Sequence, residues 1–92
     1  MTQTHSIDSL YNFIINVQNM DELDDQIKEK EDRLNYLSQL EDLYESLELA
    51  EMLDLTTEKY NRTSVEVILL KMKRNELERK VLNFQLSALI DD

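Results

Sequence analysis

The sequence predicts an all-α fold in which two long helices form an antiparallel, coiled-coil-like hairpin, with a short helix before them at the N-terminus. None of the 92 residues is a glycine or a proline, the residues that most often form turns and end helices. Leucine, a strong helix former, occurs 16 times and at helical spacings. The hydrophobic fraction of 41% is too high for a simple disordered chain. At this length we expect a single domain, residues 1–92.

The first predicted helix covers about residues 7–17. Ser6 is a suitable N-cap residue, and the carboxylate of Asp8 in the first turn interacts favourably with the helix dipole. The polar residues Asn16, Gln18 and Asn19 predict a break before the next helix. The apolar face of this short helix consists of Ile7, Leu10, Tyr11, Ile14 and Val17.

The second predicted helix covers about residues 21–53, and its apolar residues follow the heptad spacing of a coiled coil. The seam begins with Leu23, Ile27, Lys30, Leu34 and Leu37. Beyond this point the apolar positions contract to Leu40 and Leu43, then Leu47 and Ala50, which indicates a shift of register. Such a shift would alter the local winding of the helix or turn the seam toward a second partner. Residues 54–63 are predicted to form a polar connection.

The third predicted helix covers about residues 64–90 and keeps alternating spacings of three and four residues. Its seam consists of Val67, Leu70, Arg74, Leu77, Val81, Phe84 and Ala88. A flanking stripe of Ile68, Leu82 and Leu89 makes the apolar arc wider than one neighbouring helix would bury. We therefore expect oligomerisation to complete the hairpin into a bundle.

Two cations, Lys30 and Arg74, occupy seam positions in the second and third helices. A charge at such a position commonly specifies register or partner choice in a coiled coil. Alternatively, the aliphatic stem is buried while the charged group reaches water at the edge of the seam. The sequence leaves both interpretations open.

Charge is distributed unevenly along the chain, whose net charge is −10. Residues 20–58 contain 14 acidic and 3 basic residues, whereas residues 59–92 contain 5 acidic and 7 basic residues. Pairing between the two long helices would help to set their register, although exposed ion pairs contribute only about 0–1 kcal/mol each. Most of the negative charge would remain unpaired in such a hairpin.

Part of this acidic charge forms a stripe on the second predicted helix. Glu41, Glu45 and Glu48 follow one another at spacings of four and three residues, so like charges lie side by side. The simplest interpretation is a solvated face that keeps the protein soluble. The functional alternative is a docking strip for a protein surface rich in lysine or arginine.

The sequence offers few groups for catalysis or metal binding. The single histidine, His5, has no partners for a catalytic triad or a two-histidine metal site, and the chain has no cysteine. We therefore expect no enzymatic activity, no cofactor and no bound metal. The negative charge disfavours direct binding to nucleic acid or to an anionic membrane. No signal peptide and no membrane span is recognisable, which makes the cytoplasm the expected compartment.

These features predict a non-enzymatic interaction module: a small acidic helical subunit, adaptor or dedicated chaperone that binds a partner helix along its apolar seam. The partner is expected to be another protein or a second copy of the chain, as a hetero-oligomer or a homodimer. The alternative is an acidic decoy or inhibitor that blocks a basic, nucleic-acid-binding site on its target. The residues expected to contact the partner are Leu40, Tyr44, Leu47, Val81, Phe84 and Leu89.

Overall fold

The fold is a hairpin of two long helices, as the sequence predicts. A computed structural model describes residues 7–90. Helix α1 runs over Ile7–Ser46 (40 residues) and helix α2 over Ala50–Ile90 (41 residues), and the two pack against each other. The predicted N-cap Ser6 and the single histidine, His5, lie outside the described residues.

The hairpin is a thin rod, one layer of helices thick. Its principal extents are 72 × 17 × 14 Å and its radius of gyration is 20.4 Å, whereas a compact domain of this length has a radius of about 12 Å. The accessible surface is 7237 Å², and a compact monomer of 11.0 kDa would expose about 5,600 Å². The two helices therefore leave much of their side-chain surface uncovered.

The short N-terminal helix is not a separate element, because α1 is continuous through the predicted break at residues 16–19. The asparagine and glutamine residues there have helix propensities within about 0.7 kcal/mol of alanine, which does not force a break. The seam also crosses this segment without interruption. Phe13, Val17 and Met20 are partly buried at spacings of four and three residues, and Leu23 continues the series.

The predicted connection at residues 54–63 is also helical and belongs to α2. Its seam positions carry threonine and tyrosine instead of leucine, so the heptad pattern is hidden from a search for apolar residues. Thr56 and Thr63 are buried, and Tyr60 between them is partly buried. The Thr56 hydroxyl donates a hydrogen bond of 2.8 Å to the Met52 carbonyl, which satisfies this polar group within its own helix.

The chain reverses direction at residues 47–49, inside the segment predicted as the second helix. Glu48 has a φ of 57°, in the left-handed region. Its N–H donates to the Glu45 carbonyl (3.1 Å), and the Leu49 N–H donates to the Tyr44 carbonyl (2.9 Å). This pair of bonds is the Schellman arrangement that ends many helices, usually with glycine at the left-handed position. Because the chain has glutamate and not glycine at this position, the sequence contains no recognisable signal for the turn.

The core is a single seam between the two helices. Within residues 7–90, four hydrophobic side chains are buried, and no side chain is less than 2% exposed. The predicted seam is otherwise correct in its central part, since Leu23, Leu34, Leu70 and Leu77 are all partly buried. Two helices alone cannot enclose a seam on all sides, so even its central residues stay near the solvent. The four buried hydrophobic residues are Ile27 (7% exposed), Leu37 (4%), Val67 (6%) and Val81 (8%).

Candidate interaction surface

Three ion pairs connect the helices along the middle of the rod. Lys30 Nζ lies 2.6 Å from Glu66 Oε2, and Lys71 Nζ lies 3.2 Å from Glu31 Oε2. Arg74 Nε donates to Asp24 Oδ1 at 2.8 Å, and its Nη1 donates to Glu78 Oε2 at 2.6 Å. Both seam cations thus lie at the edge of the seam, where each one is paired with a carboxylate of the opposite helix.

These contacts shift the protonation equilibria of two groups. The hydrogen bond and the charge of Lys30 lower the pKa of Glu66 below its ordinary value, since both favour the carboxylate. The hydrogen bond and the charge of Asp24 raise the pKa of Arg74, with a smaller contribution from Glu78. Both shifts follow from partnerships across or along the seam and do not indicate a catalytic group.

The predicted acidic strip does not form one continuous stripe. Glu41 is partly buried, and its Oε2 accepts a 2.7 Å hydrogen bond from the Thr57 hydroxyl across the hairpin. Glu45 is exposed in the last turn of α1, while Glu48 lies beyond the end of that helix in the turn. A wider acidic region surrounds the turn, because residues 34–58 contain seven acidic residues and no basic one.

The six predicted partner-binding residues lie at opposite ends of the rod. Leu40, Tyr44 and Leu47 are near the turn, whereas Val81, Phe84 and Leu89 are near the chain ends. The reversal at residues 47–49 separates the two groups along the rod, whereas the prediction placed the connection at residues 54–63. Several of them contribute to the hairpin itself: Val81 is buried, and the Phe84 ring stacks on Phe13 with ring centroids 4.6 Å apart.

The exposed apolar surface forms three patches along the rod. Eighteen large hydrophobic residues of the described chain are exposed, at 44–84% of their surface. The terminal patch consists of Ile7, Leu10, Tyr11, Ile14, Leu82, Leu86, Leu89 and Ile90. The turn patch consists of Tyr36, Leu43, Leu47, Leu49, Met52 and Leu55. The outer patch, in the middle of α2, consists of Val65, Ile68, Leu69 and Met72.

Much of the terminal patch faces the side of the hairpin that carries the Lys71–Glu31 ion pair. Leu10 lies three heptads before Glu31, and Gln85 lies two heptads after Lys71, so each shares a helix face with one partner of that pair. A shallow, largely apolar groove opens there, lined by Phe84, Gln85, Ala88 and Leu89.

The central members of the turn patch face the other side of the hairpin. A groove on that side is lined by residues of both helices, among them Glu22 and Gln26 of α1. Leu43 lies three heptads after Glu22, so the two share one helix face. A second groove on the same side includes Leu69 of α2, and Leu55 lies two heptads before it. The terminal and turn patches therefore differ in both position and direction.

The two ends of the rod also differ in charge. Residues 9–20 and 81–90, which form most of the terminal end, contain no charged residue. The turn end contains the acidic region of residues 34–58. This asymmetry follows from the reversal at Glu48, which brings the uncharged N-terminal and C-terminal segments together.

Within residues 7–90 there is no group of three or more side chains that could hold a metal ion, and neither helix is long and apolar enough to cross a membrane. No protein-family model matches the chain, and no curated protein or solved structure is significantly similar to it. The surface itself is therefore the basis for assigning a function.

Sequence reasoning found part of this surface and missed the rest. The flanking stripe of Ile68, Leu82 and Leu89 is exposed, as expected of residues outside the seam. Met52 and Leu55 lie in the segments that the sequence assigns to the second helix and the polar connection, and both are exposed because the chain reverses at residues 47–49. The absence of charged residues from residues 81–90 is visible in the sequence and could have indicated an apolar surface at the terminal end.

Proposed function

We propose that this chain is a non-enzymatic interaction subunit, an adaptor or dedicated chaperone in a larger assembly, which binds protein partners through its exposed apolar side chains. The observation that carries this proposal is the imbalance between eighteen exposed large hydrophobic residues and four buried ones in residues 7–90. Large apolar patches on a small protein usually mark interaction sites. The cytoplasm remains the expected compartment.

The turn patch is the part of this surface best suited to a partner helix. Leu43 and Leu47 are 49% and 57% exposed at a spacing of four residues, and Met52 and Leu55 continue the apolar surface on α2. A partner helix with apolar residues at positions i, i+3 or i+4, and i+7 would pack against such a surface. A third helix could therefore pack against α1 and α2 at the same time.

The proposal can be tested by isolating the tagged chain from its own host at its natural abundance and measuring the intact mass of the assembly. We expect the wild-type chain to carry a stoichiometric protein partner. The double variant Leu43→Asp/Leu47→Asp should lose this partner. The control Ser38→Asp/Gln39→Asp adds the same charge at two exposed polar positions of α1 and should retain it.

Two observations together would contradict the proposal. The isolated chain would have to be a thermally robust monomer at high dilution that binds no hydrophobic dye, and its native assembly would have to contain no other protein. Such a chain would have no apolar surface that requires a partner.

The second candidate function is an acidic decoy that occupies a basic site on its target. The acidic region at residues 34–58 favours it, because it contains seven acidic residues and no basic one, of which, within residues 7–90, Glu58 alone is paired with a cation, Arg62 in the next turn of α2. A decoy should lose affinity steeply between 50 and 500 mM salt, since its binding depends on charge, whereas apolar packing should change little. Glu45→Lys/Glu51→Lys should abolish decoy binding and leave an apolar complex intact.

A further inference from the structure

The terminal end of the rod combines three properties. It is apolar, it carries no charge over residues 9–20 and 81–90, and its two helices are held together by the Phe13–Phe84 stack. The stacked rings fix the relative positions of the helix ends, so the surface is preformed. An uncharged surface of this kind excludes any partner that would have to bury an unpaired charge against it.

We propose that the terminal patch binds the terminal patch of a second copy of this chain, with the two rods overlapping only at these ends and their turns pointing in opposite directions. This inference rests on the proposed function, because it names the occupant of one of the exposed patches. The turn patch stays free for a different protein.

The exposed area is sufficient for a stable dimer. From their exposed fractions, 46–84%, the eight residues of the terminal patch present roughly 1,000 Å² in each copy, compared with about 800 Å² per partner in a standard interface. A two-fold axis through the overlap places the same patch on both sides, as in most homodimers. The groove lined by Phe84, Gln85, Ala88 and Leu89 can accept side chains of the partner copy.

Electrostatics selects the orientation of the two rods. If they lay parallel, two acidic regions of seven carboxylates each would meet at one end. In the opposite orientation these regions are roughly 100 Å apart along the helices, which is far beyond the screening length of about 8 Å at physiological salt. Repulsion between the two acidic regions therefore disfavours the parallel dimer and is negligible in the proposed one.

The oligomeric state is the first test. We expect the wild-type chain to sediment as a dimer at 100 µM. The Leu82→Asp variant should sediment as a monomer at this concentration, because its affinity for a second copy should be at least 100-fold weaker. Asn75→Asp is the matched control, because Asn75 is exposed, lies one heptad before Leu82 on the same face of α2 and is already polar. Equal helical circular dichroism of the three proteins would show that the change at Leu82 acts on association and not on folding.

The orientation is tested by labelling, which the absence of cysteine makes straightforward. A Gln85→Cys variant labelled with pyrene should show excimer emission, because Gln85 is exposed and lines the groove on the face that meets the partner copy. A Ser46→Cys variant labelled in the same way should show none. Small-angle scattering should give a maximum dimension of about 120 Å, from two 72 Å rods that overlap by about 14 helical residues.

Three results would overturn the inference: a wild-type monomer at 100 µM, a dimer no longer than a single rod, or excimer emission from the Ser46→Cys label. None of them would contradict the proposed function, because a monomer can still bind another protein through its turn patch. Conversely, a dimer with free turn patches and no other partner would support this inference and leave the adaptor function without support.

Discussion

Arg74 of α2 donates a 2.8 Å hydrogen bond to Asp24 of α1, although 50 residues separate them in the sequence. The Lys30–Glu66 ion pair and the Thr57–Glu41 hydrogen bond belong to the same antiparallel alignment of the helices. Polar contacts at the seam edge thus agree on one register along most of the rod. A slip by one heptad would separate all of these partners.

Replacing Arg74 by leucine should raise the thermal midpoint while weakening the specificity of association. The side chain occupies a seam position and is 29% exposed, so leucine would add apolar packing where a charge is now only partly hydrated. We expect a broader distribution of oligomers by sedimentation, because the Asp24 contact that fixes register is lost. Arg79→Leu, at an exposed position, is the control and should leave the midpoint nearly unchanged; a lower midpoint for Arg74→Leu would contradict this interpretation.

Glu66 should make stability depend on pH. Because Lys30 lowers the pKa of Glu66 in the folded state, the contact stabilises the fold above the unfolded-state pKa and loses its effect as the pH falls through the folded-state value. The difference in thermal midpoint between wild type and Glu66→Gln should therefore be largest near pH 7 and shrink as the pH falls through the folded-state pKa of Glu66. Glu29→Gln, at an exposed position, provides the comparison, and a difference that grows on acidification would show that the sign is wrong.

Glu48→Gly should stabilise the hairpin by about 1 kcal/mol. Glu48 has a φ of 57°, and a left-handed conformation costs a residue with a Cβ about 1–2 kcal/mol, part of which is offset by the greater freedom of glycine in the unfolded chain. Chemical denaturation should show the increase. Glu45→Gly is the matched control in the last turn of α1, where glycine should destabilise by about 0.5–1 kcal/mol; equal effects at both positions would contradict the assigned turn.

The seam and the turn patch should respond differently to loss of a leucine side chain. Leu37 is 4% exposed, and Leu37→Ala should lower the free energy of unfolding by about 2–4 kcal/mol. Leu43 is 49% exposed, and Leu43→Ala should change it by less than about 0.5 kcal/mol in the isolated chain. A large loss at Leu43 would mean that the isolated protein already covers its turn patch.

The fold class could be predicted from sequence because the seam repeats with the helical period. Leu23, Ile27 and Leu34 of α1 face Val67 and Leu70 of α2, as heptad spacing requires. The position of the turn could not be predicted, because the local signal is a backbone conformation that glutamate rarely adopts. The seam through Thr56 and Thr63 was equally hidden, since burial there depends on packing opposite α1 and not on residue hydrophobicity.

The candidate surface was only partly predictable for the same reason. Whether Leu89 and Leu47 belong to one interface depends on which residues the reversal brings together, and that depends on Glu48. The sequence identified apolar residues beside the seam correctly, but it gave no information on their grouping at the two ends. The local sequence pattern specifies which residues share a helix face. The turn at Glu48 determines which of these faces lie next to each other in the hairpin.

The concentration of negative charge at one tip gives the molecule a strong electrical asymmetry along its length. A positively charged surface would exert a torque on the diffusing rod and bring it in with the acidic tip leading. The opposite end, where residues 9–20 and 81–90 carry no charge, would trail and stay available to a second copy of the chain. Encounter with any cationic target would then be oriented before contact, and the benefit would fade as ionic strength rises.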